Sequence, residues 1–107
     1  MDGIYLKFYV PERRRYHGIL AYEWLLEHAK KLGIKGGSAF RAIASFGHHG
    51  RLHEQRFFEL AGDVYVEVGF ALKEEDAERL LAELAAEQIK LFYIKLPATL
   101  GYVGNGE

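Results

Sequence analysis

Apolar residues recur in this chain with two different periods, and the order of these periods constrains the fold more than any other feature. From Ile4 to Val10, strongly apolar side chains alternate with two tyrosines and a lysine, the period-2 pattern of a strand, which Pro11 ends. From Ala21 to Leu32, apolar residues recur at helical spacing, and Gly33 is placed as a helix C-cap. The chain therefore begins with a strand followed by a helix.

The second half of the chain repeats both periods. A second strand is predicted over residues 38–46, a third over residues 64–70 and a last one over residues 89–96, where Pro97 ends it. A second helix precedes the last strand and has acidic residues at 74–76, in the first turn, where the helix dipole favours them. The apolar stripe of this helix consists of Ala77, Leu80, Leu81, Leu84 and Ala85.

This βαββαβ order predicts an α+β, ferredoxin-like sandwich, in which a four-stranded antiparallel sheet has both helices on one face. With 107 residues the chain fits a single domain, 1–107, of which residues 97–107 are predicted to be an irregular tail. The chain has no cysteine, which excludes disulfides and thiolate metal sites and fits a reducing compartment. No stretch approaches the roughly 20 apolar residues of a membrane span, so we expect a cytoplasmic protein with no direct membrane insertion.

One face of the predicted sheet has no helix to cover it. If the strongly apolar residues of the first strand face the helices, the other face carries Tyr5, Lys7, Tyr9, Tyr65 and Glu67. Aromatic residues mixed with charges favour contact with another subunit there. The alternative is a solvated face, since scattered exposed aromatic residues are common.

A glycine-bracketed loop after the second strand gathers most of the candidate ligand-binding side chains. Gly47 and Gly50 allow backbone N–H groups to turn toward a ligand, and arginine can fork onto phosphate oxygens. The loop is therefore a candidate site for an anion or a metal ion, and we expect it to become ordered only when ligand or partner binds. Its charged and imidazole side chains are His48, His49, Arg51, His53 and Arg56.

Each candidate side chain also has a simpler explanation. The three loop histidines could bind Zn, Ni or Cu through nitrogen, but a solvated histidine-rich loop has the same composition. His17 and His28 are weaker candidates than the loop histidines, and His28, near the apolar stripe of the first helix, is more typical of a packing residue than of a ligand. Arg41, within the second strand, is expected on the uncovered face, where a salt bridge to Glu67 is the alternative to ligand binding. The arginines at 13–15 are most simply a solvated connector.

Several function classes find no support in the sequence. The chain has no Walker loop, no dinucleotide fingerprint and no nucleophile elbow. Its net charge is −1 and the predicted sheet lacks the aromatic RNA-binding signature, which disfavours nucleic acid as a partner. We therefore expect a ligand-binding domain without catalytic residues.

Three sequence blocks resemble the PII-like proteins of the family called domain of unknown function 190. They are VPERRRYHG before the first helix, with Tyr16 and Gly18 in place, SAFRAIASFG at residues 38–47, and Arg51-Leu52-His53. The resemblance extends to about Leu96. It implies a trimeric, ferredoxin-like relative of the PII signalling proteins, which bind adenine nucleotides in clefts between subunits and contact partners through the loop after the second strand.

By this resemblance the chain is a non-enzymatic signalling protein that requires no cofactor and binds an adenine nucleotide. AMP or ADP is favoured over ATP, because AAEQIKLF has no glycine where PII proteins carry a phosphate loop. The expected partners are two further copies of the chain, in a homotrimer, and a protein target, with a membrane transporter as one candidate. A trimer that binds a divalent metal through the loop histidines is the alternative function. The predicted nucleotide contacts are Arg41, Phe46, Gly47, Gly50, Arg51 and His53.

Overall fold

The computed structural model of this protein describes residues 1–46, 64–104 and 106. Along these residues the four longer strands form one antiparallel sheet in the order β4-β5-β1-β6, while β2 and β3 form a short hairpin before the first helix. The elements are β1 Asp2–Pro11, β2 Arg15–Tyr16, β3 Ile19–Leu20, α1 Ala21–Lys31, β4 Ser38–Arg41, β5 Tyr65–Leu72, α2 Glu74–Ala86 and β6 Phe92–Thr99. This topology confirms the predicted ferredoxin-like fold.

The alternation in β1 separates a helix-covered face from an open face. Leu6 and Phe8 are completely or almost completely buried and belong to one core with Leu25 of α1 and Leu80 of α2. The Phe8 ring meets the Phe70 ring of β5 edge to face, with centroids 6.2 Å apart. The period-2 pattern therefore identified the core side of the sheet correctly.

Both helices lie close to where their patterns placed them. Gly33 follows α1 with a φ of +90°, a conformation that glycine adopts without strain, as predicted for a C-cap. In α2 the buried residues are Ala77, Leu80 and Leu84, while Ala85 is exposed. The apolar stripe of α2 is thus narrower than predicted. Neither described helix is long and apolar enough to span a bilayer.

Strand β4 is shorter than predicted, ending at Arg41 rather than at residue 46. The Ala42 N–H still donates to the Tyr65 carbonyl at 2.9 Å, so the ladder continues for one hydrogen bond beyond the assigned strand. The Tyr65 N–H donates to the Ser45 Oγ at 3.1 Å. Because the Ser45 hydroxyl accepts the hydrogen bond of the Tyr65 N–H in place of a neighbouring strand, the chain can leave the sheet after Ala42.

The last strand begins and ends three residues later than predicted, and Pro97 lies inside it. Ile89 is buried after a left-handed turn at Gln88, so its apolar character reflects packing rather than a strand. Pro97 is tolerated because β6 is an edge strand. Leu100 and Met1 exchange both backbone hydrogen bonds, so by alternation the Pro97 nitrogen points away from β1. The predicted irregular tail therefore starts at residue 100 rather than at residue 97.

Candidate functional site

The sheet face away from the helices, called the open face below, carries a continuous group of large side chains. Phe40 is 60% exposed, Phe92 44% and Leu96 45%, although all three are strongly apolar. Apolar side chains gathered on one surface mark a candidate interaction surface. Cross-strand register places these side chains on the open face: Tyr5, Lys7, Tyr9, Phe40, Phe92, Ile94 and Leu96.

Lys7 is the cation at the centre of the open face. Its Nζ lies 6.0 Å from the Tyr5 ring centroid, 5.8 Å from the Tyr9 ring centroid and 3.8 Å from Glu67 Oε1. The hydrogen bond with Tyr9, followed by the charge of Glu67, raises the pKa of Lys7. The Tyr5 hydroxyl lies over Gly69, where the Cβ of any other residue would collide with it. The aromatic rings and the lysine are thus held in a fixed arrangement.

An open cleft of about 230 Å³ lies where β4 ends, beside the open face. Tyr65 belongs to this part of the face, opposite Pro11, but only 4% of it is exposed. Since the Tyr65 backbone also bonds to Ala42 and Ser45, the departing chain holds one side of the cleft in place. Tyr65 can contribute little to a subunit contact, in contrast to its predicted role. The cleft is lined by Tyr9, Phe40, Arg41, Ala42, Ala44, Ser45, Tyr65 and Glu67.

Arg41 lies on the helix side of the sheet, so its predicted placement on the uncovered face is wrong. Its cross-strand partner is Val66, whose side chain is buried in the core, and directly opposed residues share a face. The Arg41 Nε donates to Glu12 Oε2 at 2.7 Å, and this hydrogen bond raises the pKa of Arg41. Glu67, the alternative partner, is bound by Lys7 instead. The guanidinium remains more than half exposed at the end of the strand.

The predicted nucleotide contacts fall into two groups. Arg41 ends β4 and lines the cleft, whereas Phe46 follows five residues later, is exposed and does not line the cleft. The other four, Gly47, Gly50, Arg51 and His53, lie outside the described residues. The structure therefore brings Arg41 to the cleft and leaves the phosphate contact at Arg51 a prediction.

Of the two histidines that the structure describes, His28 packs as the sequence indicated, whereas the His17 side chain is mostly exposed. The His28 ring stacks on Trp24 with centroids 4.8 Å apart, and its Nε2 lies 3.3 Å from Glu83 Oε1. His17 Nε2 lies 3.4 Å from Glu87 Oε1. No three metal-binding side chains come together in the part of the chain that the structure describes. The metal alternative rests on His48, His49 and His53, which fall outside it.

A polar contact that sequence reasoning did not assign joins the β2–β3 hairpin to the end of α2. The Tyr16 hydroxyl donates to the Glu87 carbonyl at 2.8 Å and lies 2.9 Å from Glu87 Oε1. The hydrogen bond from the Tyr16 hydroxyl to the Glu87 carboxylate, followed by that of His17, lowers the pKa of the Glu87 carboxyl, while desolvation raises the pKa of Tyr16. The sequence gives one sign of this contact, the tyrosine that shortly precedes Gly18. It does not show the partner of this tyrosine, because Glu87 lies 71 residues further along the chain.

Two connector arginines bind backbone carbonyls rather than remaining fully solvated. The Arg14 Nη1 donates to the Lys90 carbonyl at 2.8 Å, and the Arg15 Nη1 donates to the Gly18 carbonyl at 3.0 Å. Arg14 thereby ties the connector to the turn before β6. These side chains hold the hairpin in place at the helix side of the molecule.

Known proteins similar to this chain indicate one family, and solved structures share its fold. A family model described as "Uncharacterized ACR, COG1993" (DUF190) matches residues 3–90. A UPF0166 protein of Aquifex aeolicus (strain VF5) is 33% identical over 79 residues, which cover 74% of this chain and 75% of that protein.

Two solved structures share the fold at low sequence identity. A candidate PII-like signaling protein from Thermus thermophilus superposes with a TM-score of 0.57 at 16% identity, covering 92% of this chain and 90% of the other. The apo form of CPII, a nitrogen regulatory PII-like protein from Thiomonas intermedia K12, gives a TM-score of 0.54 at 13% identity, covering 92% and 96%. The two structures show the fold, and the family match over residues 3–90 shows that the chain belongs to the DUF190 family.

Proposed function

We propose that this protein is a non-enzymatic, cytoplasmic PII-like regulator that binds an adenine nucleotide, AMP or ADP before ATP, between the subunits of a homotrimer and acts on a protein partner. The observation that carries the proposal is the cleft at the end of β4. Its volume of about 230 Å³ is below the roughly 300–1,000 Å³ of typical ligand pockets, and it opens beside an apolar face. A second subunit on that face would complete its missing wall.

The open face supports the assembly on which this site depends. Phe40, Phe92 and Leu96 are too exposed to stabilise a single chain, and their burial against another copy would remove apolar surface from water. Lys7 and Glu67 would then be paired within an apolar interface, where charged pairs select one orientation over others. Three chains per particle in light scattering at micromolar concentration is the expected result.

The cleft offers groups suited to the two ends of an adenine nucleotide. The exposed ring of Phe40 lines the cleft and can stack on a base, and the exposed guanidinium of Arg41 lies at the same end of the sheet. Phe46, which is exposed but does not line the cleft, would add a second ring. We assign the main phosphate contact to Arg51 and a weaker one to His53, which follow in the chain. Regulation requires only that nucleotide and partner prefer different states, with a coupling of about 1–3 kcal/mol.

Calorimetry of the intact protein against AMP, ADP, ATP and cyclic AMP tests the proposal. We expect Arg51→Ala to weaken binding of the preferred nucleotide roughly 10- to 100-fold, the scale of a lost charged hydrogen bond, and Arg51→Lys to restore it in part. Arg79→Ala is the matched control, because Arg79 pairs with Asp76 on α2, on the covered side of the sheet. Its affinity should equal that of the wild type.

Two results would reject the proposal or its site. Absence of binding by every adenine nucleotide, in a protein that is trimeric, would exclude nucleotide sensing. Unchanged affinity in Arg51→Ala would move the phosphate contact elsewhere, with Arg41 as the next residue to test. Stoichiometric divalent metal in the purified protein would favour the metal-binding alternative.

A further inference from the structure

The two outer edges of the sheet differ in their ability to accept another strand. On β6 the outward positions include Pro97, which has no N–H, and Lys95. The Lys95 ammonium is held by Glu74 and Glu78 of α2, at 2.6 Å from each carboxylate. Proline and charged side chains on an edge strand prevent pairing with another chain. The β6 edge is therefore closed to a further strand.

The β4 edge contains no proline, so each of its outward positions keeps its N–H, and its one charged side chain, Arg41, is bound by Glu12. Since Ala42 bonds inward to β5, alternation turns the N–H and C=O groups of Ala39 and Arg41 outward. All four residues of β4 are exposed, and no strand among residues 1–46 and 64–104 pairs with this edge. Two residues thus present four backbone hydrogen-bonding groups to a partner.

The C-terminal tail, residues 100–104, is a segment that could use this edge. Leu100 exchanges backbone hydrogen bonds of 2.8 and 3.0 Å with Met1, so the tail continues from β6. Tyr102 and Val103 are then fully exposed, although both favour strands and apolar contact. Gly104, with a φ of +90°, ends the segment. Residues 100–103 match the four residues of β4 in length.

We propose that the C-terminal tail of one copy pairs as an added strand with the outer edge of β4 in the next copy. The inference rests on the proposed trimer, because a ring of three requires two different surfaces that meet head to tail, whereas pairing of β4 with β4 would give a two-fold dimer. In a strand Tyr102 and Val103 point to opposite faces, so one of them covers the exposed ring of Phe40. The tail therefore completes an edge that no other strand in residues 1–46 and 64–104 pairs with.

Cysteine cross-linking tests the pairing directly, since the natural chain contains no cysteine. The double variants Ala39→Cys/Tyr102→Cys and Ala39→Cys/Val103→Cys, oxidised in the native state, should give species of two and three chains on denaturing gels. One variant should react much better than the other, because only one tail side chain faces the side of Ala39. Lys30→Cys/Val103→Cys, with its first cysteine on the exposed side of α1, should stay monomeric on the gel. Failure of both Ala39 pairs to cross-link in a trimeric protein overturns the proposal.

Removal of residues 101–107 gives an independent test. Its result can reject tail pairing without rejecting the proposed function. Amide hydrogen exchange at Ala39 and Arg41 should be slow in the wild type and at least 10-fold faster in the truncated protein, with light scattering recorded on the same samples. Ala39→Pro, which removes an outward N–H that no described residue accepts, should weaken the trimer in the full-length protein and have no further effect after truncation. Three chains per particle with fast exchange at both amides overturns tail pairing and leaves the trimer intact. A monomeric wild type overturns both proposals.

Discussion

The same strands build both faces of the sheet, but the two faces differ in how their side chains are covered. On the helix-covered face, Leu6 and Phe8 are buried by side chains of the same chain. On the open face, the alternate residues of the same strand, Tyr5, Lys7 and Tyr9, remain half-buried, and apolar side chains on β4 and β6 are more exposed. The covered face stabilises the single chain, and the open face carries the features of a contact between chains.

The largest expected effect is on the covered face. Phe8→Ala should lower the free energy of unfolding by about 3–5 kcal/mol, because it removes a buried ring in edge-to-face contact with Phe70. Phe92→Ala, a matched loss of a ring that is 44% exposed, should cost about 1 kcal/mol or less in the dissociated chain. Urea denaturation over a range of protein concentrations separates folding from association. If the two variants lose the same free energy of unfolding at the lowest protein concentration, the two faces do not differ in their contribution to the stability of the single chain.

A smaller effect is expected when a charge is placed on the open face. Leu96→Glu should weaken subunit association on the order of 100-fold, because an unpaired carboxylate would be buried at the interface, while the fold of the chain is retained. Thr99→Glu adds the same charge to the same strand on the opposite face and should leave association unchanged. Light scattering on dilution series measures both. An intact trimer in Leu96→Glu would move the interface away from the open face.

The smallest effect concerns the polar contact on the covered side. The Tyr16 hydroxyl holds the pKa of Glu87 below its usual value, so this contact stabilises the fold above the ordinary glutamate pKa of about 4.3 and is lost as the pH falls through the lowered value. Glu87→Gln should therefore lower Tm by roughly 2–4 °C at pH 7 and by less below about pH 4. Glu27→Gln, at an exposed position on α1, is the control. A Tm difference that is the same at pH 7 and pH 3 would contradict this assignment.

Structural features that depend on residues close together in the sequence were predicted well. The alternation in β1 and the helical spacing around Leu25 and Leu80 identified the core, because burial on one face imposes the period directly on the sequence. The motifs that indicated the family were equally readable, and the match over residues 3–90 confirmed the family. The contact between Tyr16 and Glu87 could not be read, since its two residues are brought together only by the packing of the hairpin on α2.

Element ends and side-chain partners were the weakest predictions, and each error has a tertiary cause. Residues 42–46 have strand composition, yet the Ser45 hydroxyl takes the Tyr65 N–H and lets the chain leave the sheet. Pro97 was expected to end a strand, but an edge position turns its nitrogen toward solvent. Arg41 was expected on the open face, but the register with Val66 places it on the other side.

The sequence by itself determined the order of strands and helices, the core face of the sheet and the family, because all three are written in local periodicity and contiguous motifs. Only the tertiary structure decided which surfaces the chain leaves incomplete. The open face, the cleft beside Tyr65 and the outer edge of β4 each depend on which strands become neighbours, and strand pairing joins residues far apart in the chain. A one-residue change in register exchanges the two faces of a strand, so composition alone could not assign Arg41 or Phe40 to a side.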